Sequence, residues 1–201
     1  MFASSLLLAA LALPTVLAGP ALRLRQSGCN SGTPGEFGTA PNITLNALDT
    51  NAANSGGQGL PLVALITSVS MVEAIYVLAT QASASTRPGQ VLDFSLENGV
   101  LAPIIPNTFS GDLDVQSGDV LQFASGNVAQ LVPAEYCGFA NTDPNGGGIA
   151  QPLLGLNGDT SDFALCMSGD LDIAVFQPTA DNGGAYSLDS CTSVDILIFE
   201  Q

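Results

Sequence analysis

An all-β protein, a single-domain antiparallel sandwich or barrel with many short strands and little helix, is what this sequence predicts. Twenty-two Gly and twelve Pro, with frequent Asn, Asp and Ser, cut the chain into short apolar runs. Lys is absent and Glu is scarce, so the straight-chain residues that favour helices are missing. The runs recur at short intervals with turn chemistry between them, the pattern of a sandwich or barrel.

After a loop-like stretch from Gln26 to Pro41, strands are expected at Ile43–Leu48, Leu60–Ile66, Val72–Ala79, Val91–Leu96, Val100–Ile105, Leu113–Val115 and Val120–Ala124. Further strands are expected at Val128–Val132, Tyr136–Ala140, Leu153–Leu156, Phe163–Met167, Leu171–Phe176, Ala185–Leu188 and Val194–Phe199. Met71–Thr80 also fits a helical period, with Val72, Ile75, Tyr76 and Ala79 on one face, and periodicity leaves both readings open. Asn98-Gly99 can take positive φ at both residues, so Asp93–Leu101 reads as a hairpin. Asn157-Gly158-Asp159 and Asn182-Gly183-Gly184 read as tight turns or loop tips.

The ends set the domain organisation. Met1–Ala18 carries an apolar run over Leu6–Leu13, a Pro14 break and small residues before a cleavage point, and reads as a secretory signal, although its first residues hold no Lys or Arg. The run is too short for a membrane-spanning helix. Residues 19–40 are expected to be a flexible N-terminal segment and 41–201 a single β domain. Arg23 and Arg25 precede Gln26, where trimming would expose a Gln able to cyclise. Leu60–Ala79 is apolar but holds Pro61, Glu73 and hydroxyl residues, and reads as buried strand rather than a span.

Eighteen acidic residues oppose Arg23, Arg25 and Arg87, with no His, for a formal charge of −15. Such a surface repels phosphate backbones and anionic headgroups, so neither nucleic acid nor membrane is an expected partner. Cys29, Cys137, Cys166 and Cys191 are an even set in an exported chain, which implies two disulfides in one of three connectivities. Cys166 with Cys191 and Cys29 with Cys137 is preferred, because the first two flank neighbouring strand segments. Asn42-Ile43-Thr44 is a sequon at the start of a strand segment and needs exposure to be glycosylated.

Ser110-Gly111-Asp112-Leu113-Asp114-Val115 recurs as Ser168-Gly169-Asp170-Leu171-Asp172-Ile173, with a third Ser-Gly-Asp at Ser117-Gly118-Asp119. Turn chemistry leading into an edge strand explains this more simply than an internal duplication.

Several segments together resemble uncharacterised small secreted proteins of mushroom-forming fungi. They are Ile43–Thr50, Phe94–Leu101, Tyr136-Cys137 with Ala140–Pro144, Asn157–Thr160 with Phe163–Cys166, and Asp181–Gly184. The resemblance runs from about Pro41 to Gln201 and implies an extracellular β domain of fungal source. It implies no activity and no catalytic residue.

Without His or Lys, the Ser-His-Asp, Cys-His, Schiff-base and Ser-Lys nucleophile systems are excluded. Carboxylates remain. Asp159-Thr160-Ser161 superficially matches the Asp turn of aspartic proteases, but apolar residues do not precede it and no second copy follows. Ser68, Ser70, Glu73 and Glu97 are polar positions near apolar runs. In a strand, Asp112 and Asp114 would point to one side, as would Asp170 and Asp172, offering oxygens to Ca²⁺; a solvated, charged edge is the favoured reading, because a Ca²⁺ site needs more oxygen ligands than the sequence places here.

Sugar binding usually shows aromatic platforms, yet Trp is absent and Tyr76, Tyr136 and Tyr186 sit in strand-like runs that suit core packing. No catalytic residue, metal site or cofactor is therefore assigned, and the binding residues are left unknown. A secreted, non-catalytic extracellular or cell-wall-associated structural or interaction protein is expected, its partner a cell-wall glycan or an extracellular protein. The alternative is a carbohydrate-binding protein, or an acid-acting carbohydrate hydrolase using an Asp/Glu pair.

Overall fold

The computed structural model of the protein describes residues 29, 35–51, 58–126, 136–140 and 150–201. In chain order these form β1 (Glu36–Phe37), β2 (Ala40–Asp49), β3 (Leu60–Val69), β4 (Glu73–Thr80), α1 (Gln81–Ala84), β5 (Gln90–Val91), β6 (Phe94–Glu97) and β7 (Val100–Pro103). There follow β8 (Ser110–Asp112), β9 (Gln122–Gly126), β10 (Tyr136–Phe139), β11 (Leu153–Leu156), β12 (Phe163–Ser168), β13 (Leu171–Phe176) and β14 (Ser187–Glu200). The expected signal, the Arg23–Gln26 trimming point and the strand at 128–132 lie outside the described residues.

Between sandwich and barrel, the pairing decides for a barrel. Antiparallel neighbours run β14-β12-β13-β4-β3-β2, and β2 returns to β14 through seven residue pairs from Val194↔Asp49 to Glu200↔Ile43, so six strands close a ring. The remaining strands lie outside that ring: β6 and β7 extend from β2, β5 pairs with β3, β9 and β8 extend from β4, and β11, β10 and β1 from β14. Glu36–Phe37 thus pairs with β10 although it belongs to the stretch expected to be flexible.

Alternation divides the buried side chains into two cores. On β3, Leu62 and Ala64 enter the larger cluster while Val63 and Leu65 enter the smaller; on β4, Tyr76 and Leu78 oppose Val77 and Ala79 in the same way. All six ring strands contribute to the larger cluster, which is therefore the barrel interior, and β6, β7, β9, β10 and β11 fold over it with Phe94, Leu101, Phe123, Tyr136 and Leu156. The smaller cluster lies on the outer face of β3, β4, β12 and β13 under Ala84 of α1 and Tyr186.

Within Met71–Thr80 the strand is Glu73–Thr80, with Met71 and Val72 exposed ahead of it; burial of successive residues over Tyr76–Thr80 explains why the stretch also shows a helical period. A single helical turn follows only at Gln81–Ala84, where the Thr80 hydroxyl accepts the Ser83 N–H.

The two expected disulfides form. Cys29 joins Cys137 of β10, and Cys166 of β12 joins Cys191 of β14. They enclose 108 and 25 residues. In the chain-entropy account loops of this length are each worth about 3–5 kcal/mol.

Several expected elements shift. Val91–Leu96 divides into β5 and β6, because Leu92 turns outward between them. Ala185–Leu188 and Val194–Phe199 are parts of one region in which Ser187–Glu200 runs as a continuous strand, with a bulge where it passes Leu165–Met167. Leu113–Val115 is not a strand; the strand lies just before it, at Ser110–Asp112. The Ser-Gly-Asp copies accordingly differ. Ser110-Gly111-Asp112 is itself a strand, Ser168-Gly169-Asp170 leads through a hairpin with Gly169 at φ 64°, and Ser117-Gly118-Asp119 is a turn with Gly118 at φ 91°. The repeat is one of local chemistry, not of architecture.

Gly126 ends β9 at φ 129°, where a Cβ would stand 2.2 Å from the Val72 carbonyl oxygen. Gly126→Ala is expected to cost about 1–3 kcal/mol in backbone strain alone, with a similar cost from overpacking. Thermal unfolding of wild type and variant measures this directly; a melting temperature within a degree of wild type would contradict the packing at this strand end.

Candidate functional site

One depression lies where three loops meet at one end of the barrel. It measures about 460 Å³ and is lined by Asp114–Ser117, by Leu156, Asn157, Asp159 and Asp162, and by Phe176 and Gln177. A second depression of about 350 Å³ lies across the Asp114–Ser117 loop and adds Asp119, Asp181 and Asn182.

Each loop follows from strand chemistry. Leu156 and Asp159 exchange both backbone hydrogen bonds, at 2.9 and 3.1 Å, around Asn157 (φ 55°) and Gly158 (φ 86°), the two-residue turn that Asn-Gly encodes. The Gly118 N–H donates to the Phe176 carbonyl at 2.8 Å and the Phe176 N–H donates to the Asp119 carbonyl at 3.0 Å, which ties the 114–119 loop to the end of β13. Gln177, also at positive φ (44°), donates its N–H to the Asp162 carbonyl and its side-chain amide to the Asp162 carboxylate.

The polar side chains are held by one another. The Ser161 N–H and hydroxyl both donate to Asp159 Oδ1 at 2.8 Å, and the Gln116 side-chain amide donates to Asp114 Oδ2 at 3.1 Å. The Ser161 backbone N–H, then its hydroxyl, hold the Asp159 carboxyl below its ordinary value against a small opposing effect of burial. That carboxylate stays ionised into acid, the opposite of what a proton donor to a leaving group requires. Val115, Leu156 and Phe176 form the base, where the depression meets the barrel core.

The structure separates most of the residues that the sequence singles out. Ser70 is at the β3–β4 tip, where its hydroxyl accepts the Glu73 N–H at 3.0 Å, and Glu97 lines a different, more apolar depression with Ile104, Ile105 and Phe109. Neither Asp-x-Asp pair lies within one strand. Asp112 is completely buried at the end of β8, whereas Asp114 lies beyond the strand at the rim of both depressions. Asp170 sits in a hairpin and pairs with the Arg87 guanidinium, while Asp172 is within β13.

Cys29, Cys137 and Glu36 lie close enough together to suggest a metal site, but both sulfurs are committed to a disulfide and offer no thiolate. Tyr76, Tyr136 and Tyr186 are all buried and give no stacking platform. Val69, Met71, Val72 and Phe109 are exposed; Gly126 donates its N–H to the Phe109 carbonyl beside the Val72 backbone, so Val72 and Phe109 share one end of the molecule.

Sequence reasoning missed the buried pair of Asp112 and Tyr136. Asp112 pairs with Phe123 in the β8–β9 ladder and thereby faces the interior, where its negative charge reaches Tyr136. Nothing in a Ser-Gly-Asp tripeptide distinguishes such an Asp from a turn residue. Among the described residues the Tyr136 hydroxyl has no hydrogen-bond partner, and burial first, the Asp112 charge second, push its phenol well above the ordinary value.

Among the described residues no helix is long and apolar enough to cross a membrane. Comparison with protein-family models, with curated proteins and with solved structures finds no match to this chain.

Tyr136→Phe deletes a buried hydroxyl that makes no hydrogen bond among the described residues, so a gain of about 1 kcal/mol at neutral pH is expected. Because folding favours the neutral phenol, its contribution is complete below the ordinary value near pH 10 and is lost as pH rises through the raised folded value. The variant should consequently unfold at higher pH than wild type. Melts at neutral pH and an alkaline titration read both effects; a loss of stability at neutral pH would show that the hydroxyl is bonded after all.

Asp159 behaves oppositely. Its contribution is present above the ordinary carboxyl value near pH 3.9 and is lost as pH falls through the lowered folded value. Ser161→Ala removes the hydroxyl donor but keeps the stronger backbone N–H, so NMR titration should find the Asp159 pKa part of the way back up. No change would mean that the hydroxyl does not hold the carboxylate.

Proposed function

We propose that the protein is exported and acts outside the cell, in or against a cell wall, as a non-catalytic interaction protein. The observation that carries this reading is the preformed polar depression at the barrel end, whose lining groups are fixed by hydrogen bonds to one another and to strands of a disulfide-linked frame. Ordering such a surface costs little on binding, because its side chains are already placed. Two disulfides fit an oxidising, extracellular setting. The fungal small secreted proteins that the sequence resembles fit a wall environment.

The charge of −15 disfavours nucleic acid and anionic membrane as partners and favours neutral or basic ones. A wall glycan is the favoured ligand of the depression, for which amides and carboxylates at Asn157, Gln116 and Asp162 supply donors and acceptors. An extracellular protein is the second reading, favoured by the exposed Val72 and Phe109 at one end. The lowered Asp159 carboxyl is unsuited to the proton-donor role that a glycosidase needs from one of its two carboxylates.

A glycan array run beside an acid-pH hydrolysis panel on the purified protein discriminates these readings. The expected result is no turnover and modest glycan binding, weakened about tenfold, the equivalent of ~1.4 kcal/mol, by Asn157→Gly, which keeps the turn and removes the amide. Sugar release abolished by replacing one Asp or Glu would overturn the non-enzyme reading, and binding indifferent to Asn157→Gly would move the ligand away from this depression.

A further inference from the structure

We infer that Asn42 carries an N-linked oligosaccharide, placed so that the polar depression remains open. This rests on the proposal that the chain is exported. Asn42-Ile43-Thr44 is the one Asn-x-Ser/Thr sequence in the chain. Its geometry is unusual for a residue inside a strand. Register slips between Ala40 and Ile43 where β2 passes β6, and Asn42 takes φ 51° within that bulge. Alternation is broken there: Pro41 and Asn42 are both exposed, while Ile43 goes wholly into the barrel core. The Asn42 carbonyl accepts the Gln201 N–H at 3.0 Å, which fixes the backbone and leaves the side-chain amide projecting from the surface. Asn tolerates the left-handed conformation better than most residues, so the backbone required by the bulge and the residue required by the sequon coincide.

The chemistry needs a co-reactant supplied by the export compartment, an oligosaccharide on a polyprenyl pyrophosphate. The Asn42 amide nitrogen bonds to C1 of the reducing-end sugar, the bond from C1 to the pyrophosphate oxygen breaks, and the amide loses one proton as the lipid pyrophosphate leaves. The compartment that forms Cys29–Cys137 and Cys166–Cys191 is the one in which this transfer takes place.

Placement follows from register. On β14, Glu200 stands opposite Ile43, whereas Val194 stands opposite Asp49 and Phe163, the residue after Asp162 of the depression. Six residues of strand separate the two levels, about 20 Å at the usual rise per residue. The glycan therefore stands at the end of the barrel that holds the chain terminus, away from the proposed contact surface.

The test expresses the full chain in a eukaryotic secretion host, once with its own N-terminus and once with a heterologous leader ahead of residue 19. Intact mass before and after peptide-N-glycosidase should show an increment that the enzyme removes, with peptide mapping locating the resulting Asn-to-Asp conversion at position 42. Asn42→Gln and Thr44→Ala should both abolish the increment; Thr44→Ala keeps Asn42 in its bulge and answers for any folding defect of the first variant. Enzymatic deglycosylation of the folded protein should leave glycan-array binding unchanged. Unmodified Asn42 in protein secreted from the heterologous leader would overturn the inference. Failure of the native N-terminus alone to direct export, with Asn42 modified from the heterologous leader, would instead remove the export reading and leave the site standing. A change in array binding on deglycosylation would overturn the proposed placement.

Discussion

The ladder between β2 and β14 is the constraint on which the rest of the molecule depends. A sheet assembled from strands this short would otherwise leave two long open edges; seven residue pairs join its first long strand to its last and turn the sheet into a ring. Closure encloses the larger core, since Ile43, Leu45 and Ala47 of β2 meet Ile196 and Ile198 of β14 from adjacent strands. It also fixes the outer strands, because β6 hangs from β2 and β11 from β14. As the joined strands lie at opposite ends of the chain, most of the sequence must be in place before the ring can close, the topology of a slow folder. The Cys166–Cys191 bond reinforces the same region by binding β12 to the beginning of β14.

Where the outer strands cover that ring, Asp112 and Tyr136 depart from a purely apolar core. A buried carboxylate and a buried phenol are costly in a low-dielectric interior, and the cost is tolerated because the strands that hold them are fixed by other interactions. Asp112 faces inward through its place opposite Phe123, and Phe123 is held against Phe94 with ring centroids 5.7 Å apart. Tyr136 is fixed by the ladder to Leu156 and by the disulfide at the next residue. The pair thus marks where the outer strands β8 and β10 pack over the barrel interior.

The sequence was informative where local chemistry decides the structure. Asn98-Gly99 and Asn157-Gly158 form the turns their residue types require, and the preferred disulfide connectivity is the one observed. It was misleading where tertiary context decides. Met71–Thr80 matched two periods because β4 is buried on both faces, a property of its neighbours rather than of its own residues. Asp112 read as part of a charged edge, since its inward orientation is set by pairing with Phe123 of β9, which the tripeptide itself does not show. The depression was not legible at all: Asp114, the Asn157 to Asp162 connection and Gln177 belong to three loops that only ring closure brings to one barrel end.

That dependence links stability to the proposed contact surface. The depression has no scaffold of its own; its walls are the ends of β11, β12 and β13, and its base is the edge of the barrel core at Val115, Leu156 and Phe176. Its exposed residues can vary in charge or size without touching the packing beneath, whereas a change at Leu156 or Phe176 alters core and surface together. Loops joined by reciprocal backbone hydrogen bonds, as at Leu156 with Asp159 and Phe176 with Gly118 and Asp119, give this end of the barrel its fixed shape. Specificity can then reside in the side chains of Asn157, Gln116 and Asp162 while the frame stays unchanged, the division of labour that a rigid scaffold carrying variable loops allows.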